Sequence, residues 1–243
     1  MDSSKIHLGI AGWSSWTPSG EHAICTTFRG AACPSTVMLE KPSLKSIPPI
    51  QRRRLGKLAR VVFHVLEEAM GDISDQVVIF SSRMGEIQRT QSILEAIASQ
   101  HAVSPADFSL SVHNAIAGQW SLIHKVRQPL LALAPGNGGP VPALLEAYAH
   151  LISGETDRIA VVCFEENYPE FYQPYIHGPQ APTALALQLV LDCRETTLEL
   201  KPLETYSGRE TTGFTPLAEL LMKKSSQVQF SDRSSSWDLR ITA

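Results

Sequence analysis

A strand, a tight turn and the start of a helix follow one another in the stretch Leu130-Leu131-Ala132-Leu133-Ala134-Pro135-Gly136-Asn137-Gly138-Gly139-Pro140. The apolar run at its start predicts a β-strand. Pro140 suits the first turn of a helix, because the N–H that it lacks is not needed there, and we expect this helix to run to about Ile152. A turn in this position presents its residues at a helix N-terminus, where many enzymes place a nucleophile or bind a phosphate.

The turn departs from the common nucleotide and hydrolase motifs. The sequence Gly136-Asn137-Gly138-Gly139-Pro140-Val141 lacks the last glycine of G-x-G-x-x-G, and no Gly-Lys-Ser or Gly-Lys-Thr follows it. The G-x-S-x-G motif of α/β-hydrolases is missing as well. The turn therefore gives weak support to a nucleotide site and offers no serine nucleophile.

Short apolar strands alternate with amphipathic helices on both sides of this stretch. Apolar runs predict strands at 6–12, 76–82, 158–164 and 184–191, with 196–203 as a continuation or a hairpin partner. Apolar residues at three- and four-residue steps predict helices from Pro49 to about residue 69, at 85–99 and at about 112–125. A short helix at 215–223 and an alternating run at 237–241 follow near the C-terminus. This alternation favours an α/β fold built in layers.

Two details of these segments are open to a direct check. Residues 13–47 are rich in Gly, Pro, Ser and Thr, which predicts a long irregular excursion after the first strand. For the helix at 85–99 we expect the apolar side chains to face inward, namely Ile87, Ile93, Leu94 and Ile97.

The composition is that of an ordinary globular protein without a strong charge. The chain has 243 residues, 43% of them hydrophobic, a formal net charge of −3 and a pI near 6.2. Such a chain has no positive field with which to hold nucleic acid by counterion release. Its longest apolar run is far shorter than the about 18 residues that a membrane span needs, and its N-terminus does not look like a signal peptide. We therefore expect a cytoplasmic protein that binds no nucleic acid and does not span a membrane.

The four cysteines show no C-x-x-C spacing and no close histidine partner in the pattern of a zinc site. We interpret Cys25, Cys33, Cys163 and Cys193 as reduced thiols, and we expect no metal, no redox pair and no cofactor. Cys163 and Cys193 lie in apolar strand-like runs, in which a thiol behaves as a small hydrophobe. A structural role is predicted for both.

Acidic and aromatic residues at 165–177 could suggest an acid–base site. Glu165 and Glu166 are adjacent, however, and adjacent side chains of a strand point to opposite faces. The two carboxylates are therefore not expected to act as a dyad. We predict that this loop, with Tyr168 and His177, is a solvated surface.

Several motifs in the same order resemble the N-terminal half of a β-ketoacyl synthase. Ser111-Val112-His113-Asn114-Ala115-Ile116-Ala117-Gly118 resembles the N-x-x-A-G helix of that family, and Arg127-Gln128-Pro129 resembles its R-G-P step. Ser82-Arg83-Met84-Gly85-Glu86-Ile87 is similar to its strand-to-helix step, and residues 184–191 to its closing strand. The resemblance covers roughly residues 5–200.

The resemblance implies an α/β architecture that is half of a thiolase-like fold, with a mixed five-stranded sheet and helices. Residues 1–205 would form this domain, and residues 206–243 would be a C-terminal helix and strand extension packing on it. A full synthase continues into a second half that supplies two catalytic histidines, and we expect this chain to end before that half. Residues from about 212 to 243 would then fold back over the apolar helix that runs from Pro140 to Ile152.

Counting from Arg127 along the family's pattern places Asn137 where synthases have their catalytic cysteine. A neutral amide cannot hold an acyl chain as a thioester, so we predict an inactive chain in which Asn137 caps the helix that begins near Pro140. Such a chain is similar to the chain length factors of type II polyketide synthases, including short ones that accompany enzymes of aryl polyene pigments. The implied partner is an active β-ketoacyl synthase subunit, in a heterodimer.

The resemblance places the helix at 112–125 at the dimer seam and in the wall of the acyl tunnel. One stripe of this helix would supply the contact, namely His113, Ile116, Ala117 and Trp120. A second stripe includes Val112, Ala115, Gln119 and Leu122, so apolar residues lie on both sides. An ordinary core helix is the alternative interpretation.

A basic cluster on an earlier helix is the candidate contact for an acidic acyl carrier protein. It consists of Arg52, Arg53, Arg54 and Lys57. Such a cluster is most often a solvated helix face.

Two other functions stay open from the sequence. A decarboxylase or acyltransferase with a nonstandard active site would need an imidazole close to Asn137, and the candidates are His113, His150 and His177. A free-standing protein that shields an acyl or polyene chain would be monodisperse without a partner.

Overall fold

The computed structural model describes residues 5–30, 33–71, 73, 75–192, 196–204, 213–232 and 234–242. Ten strands of these residues form one sheet: Ile6–Ser19 (β1), His22–Arg29 (β2), Ser35–Leu39 (β3), Val77–Ser81 (β4), Leu130–Leu133 (β5), Ile159–Glu165 (β6), Thr183–Val190 (β7), Thr197–Pro202 (β8), Val228–Ser231 (β9) and Ser236–Thr242 (β10). The helices of these residues are Pro49–Arg54 (α1), Lys57–Met70 (α2), Ile87–Ala98 (α3), Pro105–Ser111 (α4), Ala115–His124 (α5), Val141–Ile152 (α6) and Thr215–Leu221 (α7).

The sheet is mixed, with the strand order β5-β4-β6-β7-β1-β8-β10-β9 and a β2–β3 hairpin paired to β1. Strands β5, β4 and β6 are parallel, whereas β7 and β1 join antiparallel. The first five strands in this order make the predicted mixed five-stranded sheet, so the α/β, thiolase-like fold class is confirmed. Within the described residues the sheet is larger than predicted, because β8, β9, β10 and the hairpin extend it.

The prediction of an irregular excursion at 13–47 is wrong. Strand β1 continues through Trp13 and Trp16, whose side chains are buried, and β2 and β3 follow it. Gly12 marks a break in the register of β1 rather than its end. A Cβ atom at Gly12 would lie 2.4 Å from the carbonyl oxygen of Ala69, so a side chain there would collide with α2. Glycine inside this strand therefore permits the close approach of a helix.

Helices cover both faces of the sheet. Helices α2 and α5 contribute to the core on one face, and α6 and α7 to the core on the other. The predicted helix from Pro49 is broken at Leu55, so it forms α1 and α2. The predicted helix at 112–125 begins only at Ala115, and the separate helix α4 precedes it. Over the described residues, we find no helix long and apolar enough to cross a membrane.

Helix α3 lies on the outside of the molecule, where it packs against α4. Ile87 is its buried residue and Ile93 is half-buried, but Leu94 and Ile97 are exposed. The prediction that all four face inward is therefore wrong for Leu94 and Ile97. The periodicity was correct for a helix, but it did not indicate that the helix lacks a second layer to bury its stripe.

The C-terminal segment joins the main sheet and the core around α6. Strand β10 pairs with β8, and β9 pairs with β10. Helix α7 buries Leu217, Leu220 and Leu221 in the core that contains Leu144 of α6. Strand β9 was not predicted from the sequence.

Candidate functional site

A pocket of about 270 Å³ lies beside the glycine-rich turn, at the carboxyl ends of β4 and β6. The carboxyl ends of parallel strands meet at one edge of a sheet, which is where ligands bind in open α/β folds. The pocket lining combines small, aromatic and ionisable residues: Ser81, Arg83, Pro135, Gly136, Gly139, Cys163, Glu165, Tyr168, His177, Gly178, Pro179, Thr183, Gly213, Phe214 and Thr215.

The glycine-rich turn is built as the sequence predicts. The N–H of Gly138 donates to the carbonyl of Pro135 at 3.1 Å, and Gly136 and Gly139 have φ angles of 59°. A Cβ atom on Gly139 would lie 2.8 Å from the ring of Phe230, so glycine is needed for space as well as for conformation. Asn137 is half-buried at the turn, between these two glycines.

The capping role of Asn137 stays a prediction, although the N-cap position itself is held by another residue. Helix α6 begins at Val141, and the residue at its N-cap position is Pro140, whose side chain makes no capping hydrogen bond. Asn137 lies three residues before Pro140, in the turn. Proline has no side-chain acceptor, so the first turn of α6 is fixed by its restricted φ angle instead.

Glu165 is a buried carboxyl group in the wall of the pocket. It accepts a hydrogen bond from the N–H of Arg83, and its Oε2 accepts one from the Tyr168 hydroxyl at 3.1 Å. Burial raises the pKa of Glu165 to about 7, and it also raises the pKa of Tyr168. The prediction of a solvated surface is therefore wrong for Glu165, Glu166 and Tyr168, all of which are buried.

Glu166 belongs to a different environment. Its Oε1 accepts the N–H of Gln88 at 2.9 Å, and it lines a second pocket between α2 and α3. Burial raises the pKa of Glu166 to about 7. Because Glu165 and Glu166 line separate pockets, the two carboxyls do not form a dyad.

The three candidate histidines lie in three different places. His177 lines the pocket beside the turn. The Nε2 atom of His113 is 2.7 Å from the carbonyl oxygen of Ser82 and forms a hydrogen bond with it. His150 lies in the last turn of α6 and pairs with Glu155 at 2.6 Å, at the opposite end of the helix from the glycine-rich turn.

The predicted seam residues of α5 lie mostly in the chain's own core. Ile116, Ala117 and Trp120 are buried, and the Trp120 ring packs edge-on against Phe63 with centroids 5.0 Å apart. His113 is half-buried in the turn before the helix. In the second stripe Val112 and Leu122 are exposed, whereas Ala115 is buried.

Exposed apolar residues lie on the edge strand β5 and on the helices α5 and α4. Within the described residues β5 pairs with β4 alone, and α5 packs beside it. Leu122 on α5 is 81% exposed, and Phe108 on α4 is 60% exposed. Val112 and Ala132 are exposed as well. We call Phe108, Val112, Leu122 and Ala132 the edge surface.

The basic cluster lies on α1 and at the start of α2. Arg53, Arg54 and Lys57 are exposed, whereas Arg52 is half-buried and donates to the carbonyl of Leu44 at 3.3 Å. Helix α1 has no buried residue, and its Ile50 is 71% exposed. The cluster is therefore presented on a helix that stands away from the core.

The predicted structural role of Cys163 agrees with its burial in the core. Cys193 lies outside the described residues. In the described part of the chain no three His, Cys, Asp or Glu side chains are placed to hold a metal ion. The burial of Glu165 was not predicted from the sequence, although its position directly after the predicted apolar strand is a signal that could have placed it at the sheet edge.

Comparison with known proteins gives a family and a fold. Residues 29–239 match the family of the β-ketoacyl synthase N-terminal domain. One chain of a ketosynthase (ApeO) in complex with its chain length factor (ApeC) from Xenorhabdus doucetiae is 22% identical, with a TM-score of 0.74, over 97% of this chain and 99% of that one. A search of curated proteins gives no match.

Two further solved structures share the fold at lower similarity. The ishigamide ketosynthase/chain length factor has a TM-score of 0.56 at 14% identity, over 80% of this chain and 67% of that one. A type II PKS acyl-carrier protein in complex with its ketosynthase (AntDE:AntF) has a TM-score of 0.54 at 13% identity, over 77% and 63%. The family match spans most of the sequence, and the chain therefore belongs to the β-ketoacyl synthase N-terminal domain family.

Proposed function

We propose that this chain is a non-catalytic chain length factor, which pairs with an active β-ketoacyl synthase and completes its acyl tunnel in a type II polyketide synthase. The observation that carries the proposal is the glycine-rich turn before α6, which is intact and holds Asn137 at the position that the sequence resemblance assigns to the nucleophile. Condensation needs a thiolate that holds the growing acyl chain. An amide cannot do this, so the turn retains its shape without its chemistry.

The edge surface supports the partner role. The edge of β5, which is unpaired within the described residues, and the exposed Leu122 on the adjoining α5 favour association, because an unpaired edge is a template for another strand and apolar patches mark interaction sites. We propose that the occupant is the synthase subunit, whose own edge strand would continue the sheet from β5. The fold shared with two ketosynthase and chain length factor complexes supports this choice.

The predicted seam residues take a supporting place in this proposal. Ile116, Ala117 and Trp120 form the layer behind the edge surface, where they fix the position of α5. Residues of the outer stripe, Val112 and Leu122, make the contact. His113 connects the start of α5 to the sheet, because its ring forms a hydrogen bond with the carbonyl oxygen of Ser82, directly after β4. Changes in the volume of this region would alter the tunnel wall.

The remaining parts of the proposal concern the pathway and the carrier protein. We propose that an acidic acyl carrier protein approaches through Arg53, Arg54 and Lys57, with Arg52 holding α1 in place. An aryl polyene pigment is the product that the sequence resemblance favours. The described cysteines are free thiols, which suits the reducing cytoplasm as the place of work.

A second candidate is an acyltransferase or decarboxylase that uses the pocket beside the turn. His177 and Glu165 both line this pocket, and the raised pKa of Glu165 would suit a proton-transfer role near neutral pH. Incubation of the chain with a malonyl-loaded carrier protein tests it. Release of carbon dioxide by the chain alone, lost in His177→Ala, would favour this candidate over the partner role.

Co-expression with a β-ketoacyl synthase encoded nearby, followed by size-exclusion chromatography, tests the partner role. We expect the two chains to elute together as a heterodimer. Leu122→Glu places a charge on the edge surface and should separate them, whereas Ile50→Glu, an equally exposed position on α1, should not. A stable chain that elutes alone in the presence of the synthase would contradict the proposal.

A further inference from the structure

A further polar cavity, of about 400 Å³, lies between α2 and the β2–β3 hairpin. It is distinct from the pocket beside the glycine-rich turn and from the pocket lined by Glu166. Side chains from one face of β2 line it, since Cys25, Thr27 and Arg29 are two residues apart along the strand. The lining is rich in thiols, hydroxyls and ionisable groups: Cys25, Thr27, Arg29, Cys33, Ser35, Val37, Leu39, Ser43, His64 and Glu68. None of these residues lines the pocket beside the glycine-rich turn.

Cys25 and His64 form a thiol–imidazole pair in this cavity. The Sγ atom of Cys25 lies 3.5 Å from Nε2 of His64, and Nδ1 of His64 lies 3.0 Å from the carbonyl oxygen of Ser43. A carbonyl oxygen can only accept, so Nδ1 carries the proton of the neutral ring. The unprotonated Nε2 then accepts the Cys25 thiol proton. Cys25 is thus placed as a nucleophile, His64 as its base, and the Ser43 carbonyl as the group that orients the base.

Two hydroxyl groups lie next to the same sulfur. The Oγ atom of Ser14 is 3.8 Å from Sγ of Cys25, and Oγ1 of Thr27 is 3.9 Å from it. The two hydroxyls are 3.1 Å apart, so one of them donates a hydrogen bond to the other. Hydroxyl donors beside an attacking sulfur can stabilise the negative oxygen that forms when a carbonyl is attacked.

The pair is neutral in the resting protein. Burial raises the pKa of the Cys25 thiol and lowers the pKa of the His64 imidazole. Attack by Cys25 is therefore coupled to transfer of its proton to Nε2, rather than made by a thiolate that exists beforehand. This coupling distinguishes Cys25 from Cys33, which lines the same cavity and is exposed.

We propose that Cys25 is an acyl-acceptor site, which takes a short acyl group from a thioester that enters the cavity between α2 and the hairpin. The Cys25 Sγ–carbon bond forms and the carbon–sulfur bond of the donor breaks. The thiol proton moves to Nε2 of His64 and then to the departing thiol. Arg29, exposed at the cavity, suits a donor that carries phosphate groups. This inference does not depend on the partner role.

Incubation of the full chain with acetyl-coenzyme A, followed by intact and peptide mass spectrometry, tests the proposal. We expect one acetyl group per chain, located on Cys25. Cys25→Ala should abolish it, and the matched control Cys33→Ser should leave it unchanged. Acetylation of Cys33 in place of Cys25, or no adduct on the folded wild-type chain, would overturn the proposal.

A variant of His64 tests the role of the base. His64→Asn keeps an N–H that can donate to the Ser43 carbonyl but has no Nε2, so the acylation rate of Cys25 should fall by about 100-fold. Circular dichroism reports whether this variant folds. A folded His64→Asn chain acylated at the wild-type rate would contradict the assignment of the base. If the variant does not fold, the proposal is tested by the wild-type adduct alone, which must lie on Cys25.

Discussion

The Tyr168 hydroxyl donates a hydrogen bond to Oε2 of Glu165 at 3.1 Å, inside the wall of the pocket beside the glycine-rich turn. This contact, with the N–H of Arg83 on the other carboxyl oxygen, ties the loop after β6 to the end of β4. Gly178 completes it, because a Cβ atom there would lie 2.6 Å from the Tyr168 ring. The wall is therefore held by a buried carboxyl group, Glu165, whose pKa is raised.

Glu165→Gln should weaken the pH dependence of stability. Burial raises the pKa of Glu165 from 4.5 to about 7, so the folded state holds a proton that the unfolded state releases between these values. The free energy of unfolding therefore falls as pH rises through this interval, by about 2 kcal/mol for this group. Glutamine stays neutral at both pH values, so the variant lacks this part of the decrease in the free energy of unfolding.

Urea unfolding of the wild type and the variant at pH 5 and pH 8 checks this. Glu170→Gln, an exposed position in the same loop, is the control and should leave the difference between the two pH values unchanged. Glu67 and Glu166, whose pKa values burial also raises to about 7, keep part of the dependence in both proteins. An equal fall with pH in wild type and Glu165→Gln would refute the prediction.

Gly139→Ala should destabilise the chain more than Gly154→Ala. Both glycines have positive φ angles, 59° and 75°, so both variants strain the backbone by about 1 to 2 kcal/mol. A methyl group on Gly139 would also meet the Phe230 ring at 2.8 Å, whereas nothing lies within 4 Å at Gly154. We expect an additional loss of about 1 to 3 kcal/mol at Gly139. Thermal unfolding of the two variants measures the difference, and equal losses would show that Phe230 gives way.

Trp120→Ala should cost about 3 to 5 kcal/mol, because it removes a fully buried ring that packs on Phe63. Leu122→Ala, two residues later and exposed, should change the stability of the isolated chain by less than about 0.5 kcal/mol. In the complex with the synthase we expect Leu122→Ala to change product length more than Trp120→Ala does, since we propose that Leu122 contacts the partner. Mass spectra of the products, with Ile116→Ala as a second buried position, check this. Identical products from folded complexes of all three variants would remove this helix from the tunnel wall.

Deletion of residues 204–243 should leave an aggregated chain. The deletion removes β10, which pairs with β8, and the buried side chains of Leu217, Leu220 and Leu221. Each such side chain contributes roughly 1.5 to 3 kcal/mol when buried, and the α6 surface beneath them would be exposed. Light scattering and circular dichroism of the purified chain give the answer. A truncated chain that folds and still binds its synthase would show that the segment is dispensable.

The sequence predicts the strands around the glycine-rich turn well, for a physical reason. Strands β4, β6 and β7 are buried on both faces and therefore appear as unbroken apolar runs, which are hard to mistake. Strands β2 and β3 are rich in Ser, Thr and Cys and lie at the sheet margin, so their composition resembled that of a loop. Hydrophobic pattern identifies the element, but it does not tell whether a second layer covers it.

Candidate sites formed by one short segment could be predicted from the sequence, whereas those formed by distant segments could not. Asn137 could be placed from sequence because the turn is a local structure of a few residues. The Cys25–His64 pair could not, because its members are 39 residues apart and meet only when α2 packs on the hairpin. The burial of Glu166 was missed for a similar reason, since Glu166 is held by a hydrogen bond from Gln88 of α3. Contacts between distant segments carry no local sequence signal.

Product formation by the reconstituted complex of synthase, carrier protein and this chain tests the central claim most directly, when Asn137 is replaced by Ala. A non-catalytic partner predicts a condensation rate within about twofold of wild type, because loss of the predicted helix cap changes stability by at most about 1 kcal/mol. Asn137→Cys should likewise create no synthase activity in the chain alone. Complete loss of condensation in a folded Asn137→Ala complex would contradict the account, since Asn137 would then take part in the chemistry.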